Sequence, residues 1–213
     1  MQKEEEKIAE GVLFNPGDPE LKAIKMRSHK LSSQFSQTNE DDVELRERLA
    51  HLILAEYGEG SFMQGPVFFH YGKHTKIGKH NFINYNFTIQ DDAFVTIGDN
   101  NNFGPNVTIV TPVHPLLPDE RRAMLDKDGN QKHLCYAKPV TIGNDCWFGA
   151  NVVICPGVSI GNGCVIGAGS VVTRDIPANS LAVGTPCHVL RELSEKDSMR
   201  YKPEIFADNQ ILE

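Results

Sequence analysis

Several features are scarce in this chain, and each scarcity removes a class of function. No apolar run approaches the roughly 18 residues of a membrane-spanning helix. The start, MQKEEEKIAEG, lacks the basic flank and apolar stretch of a secretory signal. The expectation is a cytoplasmic protein without a membrane partner. Positive charge is also short, since 21 Lys and Arg stand against 28 Asp and Glu, a formal net charge of -7. Neutralising phosphates needs a basic stripe, so no nucleic-acid partner is expected. The five cysteines, Cys135, Cys146, Cys155, Cys164 and Cys187, form no CxxC pair and no compact ligand spacing. An odd number in a chain this long does not read as a disulfide scaffold, and reduced thiols fit best.

What is present sorts into three parts. At 213 residues the chain fits one domain with a small appended piece. Residues 1–60 read as a helical segment. NEDDVELRERLAHLILAEYG offers Asn39 as N-cap, acids in the first turn, and Val43, Leu45, Leu49, Leu52 and Ile53 on an apolar face ending near Gly58. DPELKAIKMRSHKL before it reads as another helix. Residues 61–191 carry a repeat, and residues 192–213 form a tail that reads either as a coil cap or as a clasp on a neighbouring subunit.

The repeat is six residues long. Ile142, Phe148, Ile154, Ile160, Ile166 and Val172 recur without a break, and Ile77, Ile83 and Ile89 and then Ile97, Phe103 and Ile109 keep the same step. The fifth position of each hexad is small or modest: Ala93, Val107, Cys146, Val152, Val158, Cys164 and Ser170. A period of six is neither helical nor a plain strand alternation, so each hexad is one flat side of a turning coil. Three sides make an eighteen-residue coil, and stacked coils place equivalent residues about 4.8 Å apart. Gly and Asn at the corners supply the unusual backbone angles. Cys146 and Cys164 then stack as inert buried thiols. Between Ile109 and Ile142 the pattern stops. Residues 110–139, rich in Pro, Gly and charge, read as a long extruded loop, which is usually functional or disordered.

GVLF with DPEL, HYGKHTKIGKHNFINYNFTIQDD, TPVHP, KPVTIGNDCWFGANVVICPGVSIG and IGAGSVVTRDIPANSLAVGTPCHVLRE occur in this order. On these motifs nearly the whole chain resembles the hexapeptide-repeat acyltransferases of the galactoside and maltose O-acetyltransferase group. The resemblance implies a mainly β fold, a left-handed parallel β-helix assembled as a homotrimer with active sites between subunits. It implies an O-acetyltransferase that uses acetyl-CoA as donor, needs no metal, and acts on a hydroxyl of a small sugar-like acceptor.

The resemblance also carries roles for single residues. His114, in TPVHP, matches the catalytic histidine. An imidazole with an ordinary pKa of about 6.5 suits a general base for the acceptor hydroxyl, with direct transfer in a ternary complex. Asn84 and Asp92 match acceptor contacts, although each also reads as a corner residue satisfying turn backbone. His70 stands where a small polar or acidic acceptor contact is expected. Trp147, outward in its hexad, either walls the substrate pocket or lies in a subunit interface. For the donor, the resemblance places the Ala150 N–H at the acetyl carbonyl, with Ala168, Thr173, Arg174 and Arg191 along the rest of acetyl-CoA. The two arginines equally read as solvated charges. Departures fall mostly on the acceptor side: Pro16 for an aspartate, Lys25 for an arginine, Phe82 for a tyrosine, with His188 for an arginine on the donor side. Two alternatives remain: a metal enzyme of the γ-carbonic anhydrase kind using His70, His74, His80 and His114, and a non-catalytic hexapeptide scaffold.

Overall fold

The hexads fold as the flat sides of a parallel β-helix with three faces. In the computed structural model, which describes residues 2–125 and 127–206, the first face stacks Glu56–Tyr57, Thr75–Ile77, Val95–Ile97, Val140–Ile142 and Ser159–Ile160. The second stacks Phe62–Met63, Phe82–Ile83, Asn102–Phe103, Trp147–Phe148, Val165–Ile166 and Ser180–Val183, closed by antiparallel His188–Glu192. The third stacks Val67–Phe69, Phe87–Gln90, Thr108–Val110, Val153–Ile154 and Val171–Val172. Both sets of expected inward residues, from Ile77 to Val172 and from Ala93 to Ser170, are no more than 2% exposed. Phe103 and Phe148 stack in the interior with ring centroids 4.7 Å apart.

The coil length is less uniform than eighteen. Asn144 and Asn162 are 18 residues apart, but Asn86 and Asn106 are 20 apart and Asn106 and Asn151 are 45 apart. The extra residues all enter at the corner between the third and first faces. The corner between the second and third faces keeps strict geometry. Asn86, Asn106 and Asn151 there have φ of 58°, 60° and 59°. Their amides bond in a ladder, Asn86 Nδ2 to Asn106 Oδ1 at 2.9 Å and Asn106 Nδ2 to Asn151 Oδ1 at 3.0 Å. Glycine serves a different need at Gly98, where an added Cβ would lie 2.8 Å from the Gly143 carbonyl and overlap the Asn144 side chain.

Three helices precede and cap the coils: α1 (Glu4–Glu10), α2 (Pro19–Ser36) and α3 (Val43–Ile53). Asp18 caps α2 by accepting from the Glu20 and Leu21 N–H groups, with Pro19 at its first position. Strand Val67–Phe69 is an edge, and α2 covers it with serines spaced four apart. Ser28 Oγ donates to Phe69 O at 2.8 Å, Phe69 N–H to Ser32 Oγ at 3.4 Å, and Val67 N–H to Ser36 Oγ at 3.1 Å.

α3 differs from expectation at both ends. Asp42 is its N-cap, and Asn39 lies upstream with its N–H donating to Asp42 Oδ2. The helix stops at Ile53, because Leu54 turns extended and leads into Glu56–Tyr57. Leu49 and Ile53 are buried with Ala50, whereas Val43, Leu45 and Leu52 are exposed. Arg46 takes the inward place. It is buried, donates to the Met63 and Gln64 carbonyls, and lies 4.5 Å over the Phe35 ring.

The extruded loop has structure of its own. Pro112–Val113 pairs antiparallel with Tyr136–Ala137, Met124–Leu125 with Gln131–Lys132, and Pro118–Arg121 forms one helical turn. Cys135 bridges to Phe14, and both sit in a second apolar cluster with Ile8, Leu21, Tyr71, Ala93 and Ala137. No helix among the described residues is long and apolar enough to cross a membrane. Residues 207–213 of the tail lie outside the described residues.

Candidate active site

The expected site residues gather at two different corners. At the regular corner, between the second and third faces, successive coils contribute Asn84, Gly104, Gly149 and Gly167, followed by Tyr85, Pro105, Ala150 and Ala168. Asn84 N–H donates to Phe103 O, Gly104 N–H to Phe148 O, and Gly149 N–H to Ile166 O. Ala150 O accepts from Gly169 N–H at 2.8 Å, but the N–H groups of Ala150 and Ala168 find no partner among the described residues. Two stacked backbone donors are therefore free on this edge. Below them an open groove is lined by Phe82, Asn84, Asn102, Phe103, Gly104 and Trp147. Trp147 is 58% exposed on this face, so its ring is a wall and not core. Trp147, Val165, Leu181 and Arg191 follow one another in strand register up the second face, which places Arg191 roughly 14 Å from Trp147 at the strand spacing.

The irregular corner, between the third and first faces, holds His70, Asp92 and the base of the extruded loop. Lys138 N–H donates to Thr111 O, and Ala93 N–H to Thr111 Oγ1 at 2.8 Å, so the loop leaves and returns at this corner. His114 follows the ribbon strand Pro112–Val113 directly and is exposed. Arg121 Nη1 donates to the carbonyls of Pro115 and Leu116, both at 3.0 Å, which ties down the turn beyond it. Thr173 and Arg174 also end the third face at this corner, exposed, two coils above.

The polar groups packed into this corner are strongly perturbed. Asp91 is fully buried, accepts from Tyr71 N–H at 2.7 Å and Thr75 Oγ1 at 2.9 Å, and is pushed up to about 7 by burial. Asp92 is buried with Oδ2 unpartnered among the described residues. Burial raises it to about 6 against the pull of the Gln90 amide and the Lys25 charge. The Tyr71 hydroxyl is likewise buried without a partner among the described residues, its pKa raised by burial and then by Asp92. His70 is lowered to about 4, chiefly by burial. Tyr71 and Asp91 were not picked out from the chain, although both stand in the motif HYGKHTKIGKHNFINYNFTIQDD, because only their neighbours His70 and Asp92 match acceptor positions.

The two corners are separated by one face. The extended strand from Asn86 to Asp91 spans about 17 Å at ~3.3 Å per residue. His114 is two residues from Pro112, so it stays near the irregular corner, and within one chain it does not meet Asn84, Trp147, Ala150 or Ala168. Arg191 is paired with Asp197 through two hydrogen bonds of 2.8 and 2.6 Å. Among the described residues no group of three His, Cys, Asp or Glu side chains is placed to hold a metal ion, so His70, His74, His80 and His114 do not converge within the chain.

Comparison with known proteins completes this description. Residues 7–58 match the maltose acetyltransferase hexapeptide capping motif, and residues 139–174 match the hexapeptide repeat of succinyl-transferase. A protein of Escherichia coli strain K12, galactoside O-acetyltransferase, is 42% identical over 206 residues, covering 97% of each chain. The solved structure of a galactoside acetyltransferase in complex with coenzyme A has a TM-score of 0.84 at 39% identity and covers 100% of both chains. A hexapeptide-repeat acetyltransferase of Vibrio cholerae O1 biovar eltor, solved with acetyl coenzyme A, has a TM-score of 0.79 at 33% identity, covering 91% of this chain and 100% of that one.

Proposed function

This chain belongs to the hexapeptide-repeat galactoside and maltose acetyltransferase family, and on that premise we propose that its two corners, brought together from neighbouring copies, transfer an acetyl group from acetyl-CoA to a sugar hydroxyl. The chain is an acetyl-CoA-dependent O-acetyltransferase. The observation that carries the proposal is the pair of free N–H groups at Ala150 and Ala168, set on a rigid corner. Preorganised backbone donors of this kind stabilise an oxyanion as it forms.

His114 of one copy accepts the proton of the acceptor hydroxyl as its oxygen attacks the thioester carbonyl. The Ala150 N–H of the neighbouring copy donates to the carbonyl oxygen as it becomes negative. When the carbon–sulfur bond breaks, His114 returns the proton to the departing sulfur, leaving the acetylated acceptor and free coenzyme A. No bond to the protein forms. Asp92 and His70 hold the acceptor beside His114, and the unpartnered Asp92 Oδ2 is suited to a sugar hydroxyl. Asn84 and Trp147 bound the acceptor from the neighbouring copy. Ala168, Thr173, Arg174 and Arg191 line the donor, with Thr173 and Arg174 on the His114 side of the cleft. We take the assembly to be a homotrimer, a closed ring of heterologous interfaces with three such clefts.

Thiol release from acetyl-CoA, measured across a panel of sugars, tests this reading. One sugar class is expected to drive release, and His114→Ala is expected to lose ~10²–10⁴-fold in kcat. An unchanged rate in that variant removes His114 from the chemistry.

A further inference from the structure

A run of rings crosses from α2 to the first face. Phe68 and His29 have centroids 4.8 Å apart, His29 and His70 5.3 Å, His70 and Tyr71 4.7 Å, Tyr71 and His74 5.1 Å, and His74 and Phe94 5.4 Å. Within it, His29 Nε2 and His70 Nδ1 lie 3.4 Å apart at hydrogen-bonding geometry. The separation is not left to two loose side chains. His29 follows Ser28 on α2, His70 follows Phe69 on the edge strand, and Ser28 and Ser32 tie that helix to the Phe69 carbonyl and N–H.

Two imidazoles in this contact can bond only if one supplies an N–H and the other a lone pair. The groups facing the pair are Lys25 from α2 and Tyr71 and His74 from the coil. Burial, followed by the Lys25 charge, lowers His29, and burial, followed by the His29 and Lys25 charges, lowers His70 to about 4. Both rings are thus neutral at pH 7. In a neutral pair the shared bond couples the two tautomers: His70 carries its proton on Nε2 when His29 donates and on Nδ1 when His29 accepts, which sets whether the remaining nitrogen offers an acceptor a donor or a lone pair.

We propose that His29 is a positioning residue that fixes the tautomer and ring orientation of His70, and through it the binding of the acceptor. This rests on the placement of His70 beside the acceptor in the transferase reading. The ring contacts of His29 are with Phe68 and His70, so its effect belongs to acceptor binding.

Two measurements on the full chain test it. In nitrogen-15 NMR spectra of histidine-labelled protein, His70 is expected in a single tautomer, which becomes a mixture in His29→Ala. A tautomer mixture in the parent, or spectra of His70 that His29→Ala leaves unchanged, overturns the proposal. In steady-state kinetics, His29→Ala is expected to raise the acceptor KM about tenfold, the worth of one hydrogen bond of ordinary strength. The acetyl-CoA KM should stay put and kcat change less than about threefold. His29→Gln keeps both a donor and an acceptor and should recover most of the loss. Donor and acceptor KM rising together, or His29→Gln no better than alanine, contradicts the assignment. Absence of transfer by the parent enzyme with any acceptor overturns the functional reading beneath it, and the nitrogen spectra still decide the pairing.

Discussion

Asp91 and Asp92 are adjacent in the chain, yet only one of them is satisfied by the protein. Asp91 is held by Tyr71 and Thr75, and Asp92 keeps an oxygen unpartnered among the described residues. Both are raised by burial, Asp91 to about 7 and Asp92 to about 6. A raised carboxyl keeps its proton in the folded state at pH values where the unfolded chain has released it. Folding stability therefore falls as pH rises from about 4 to about 7. Between pH 4.5 and 7, urea titrations should show the parent protein losing stability relative to Asp91→Asn. Equal slopes would contradict the assignment. His70, lowered to about 4, acts with the opposite sign between about 4 and 6.5, but it does so in both proteins and cancels in the comparison. His114, Asp92 and His70 could be named from the chain as candidates because each stands in a motif. His29 could not, since it lies 41 residues from His70 and no local pattern joins a helix histidine to a coil histidine.

At the scale of elements, the chain's apolar spacing announces the coils and only part of the caps. The hexads place the inward residues from Ile77 to Val172 and from Ala93 to Ser170 because burial alone selects them. The α2 serines carry no such signal, since Ser28, Ser32 and Ser36 are weak helix formers whose value appears only against the bare edge of Val67–Phe69. Replacing Ser28 and Ser32 together with alanine leaves the Phe69 carbonyl and N–H without partners. Each buried unpaired group costs about 1–3 kcal/mol, so a loss of about 2–6 kcal/mol in urea denaturation is expected. A loss below about 0.5 kcal/mol would show that water replaces the serines freely. The end of α3 was misplaced toward Gly58 for a related reason. That glycine stops no helix; it stands in the column with Gly78 and Gly98, where coils pass too closely for a side chain.

For the whole molecule, the repeat states its period but not which corner absorbs departures from it. The two-residue insertions and the long loop share one corner, and that corner carries His114, while the Ala150 and Ala168 N–H groups, without partners among the described residues, stand about 17 Å away across the third face. On the proposed reading, that separation leaves a single chain with an incomplete site. Co-expression of two differently tagged inactive variants, His114→Ala and Asn84→Ala, followed by purification through both tags, tests the arrangement directly. If each site takes His114 from one copy and Asn84 from the next, a mixed trimer contains one intact site, and about one third of the parent activity returns. If both residues serve the same site within one chain, every site in the mixed trimer lacks one of them, and activity stays at the level of the single variants.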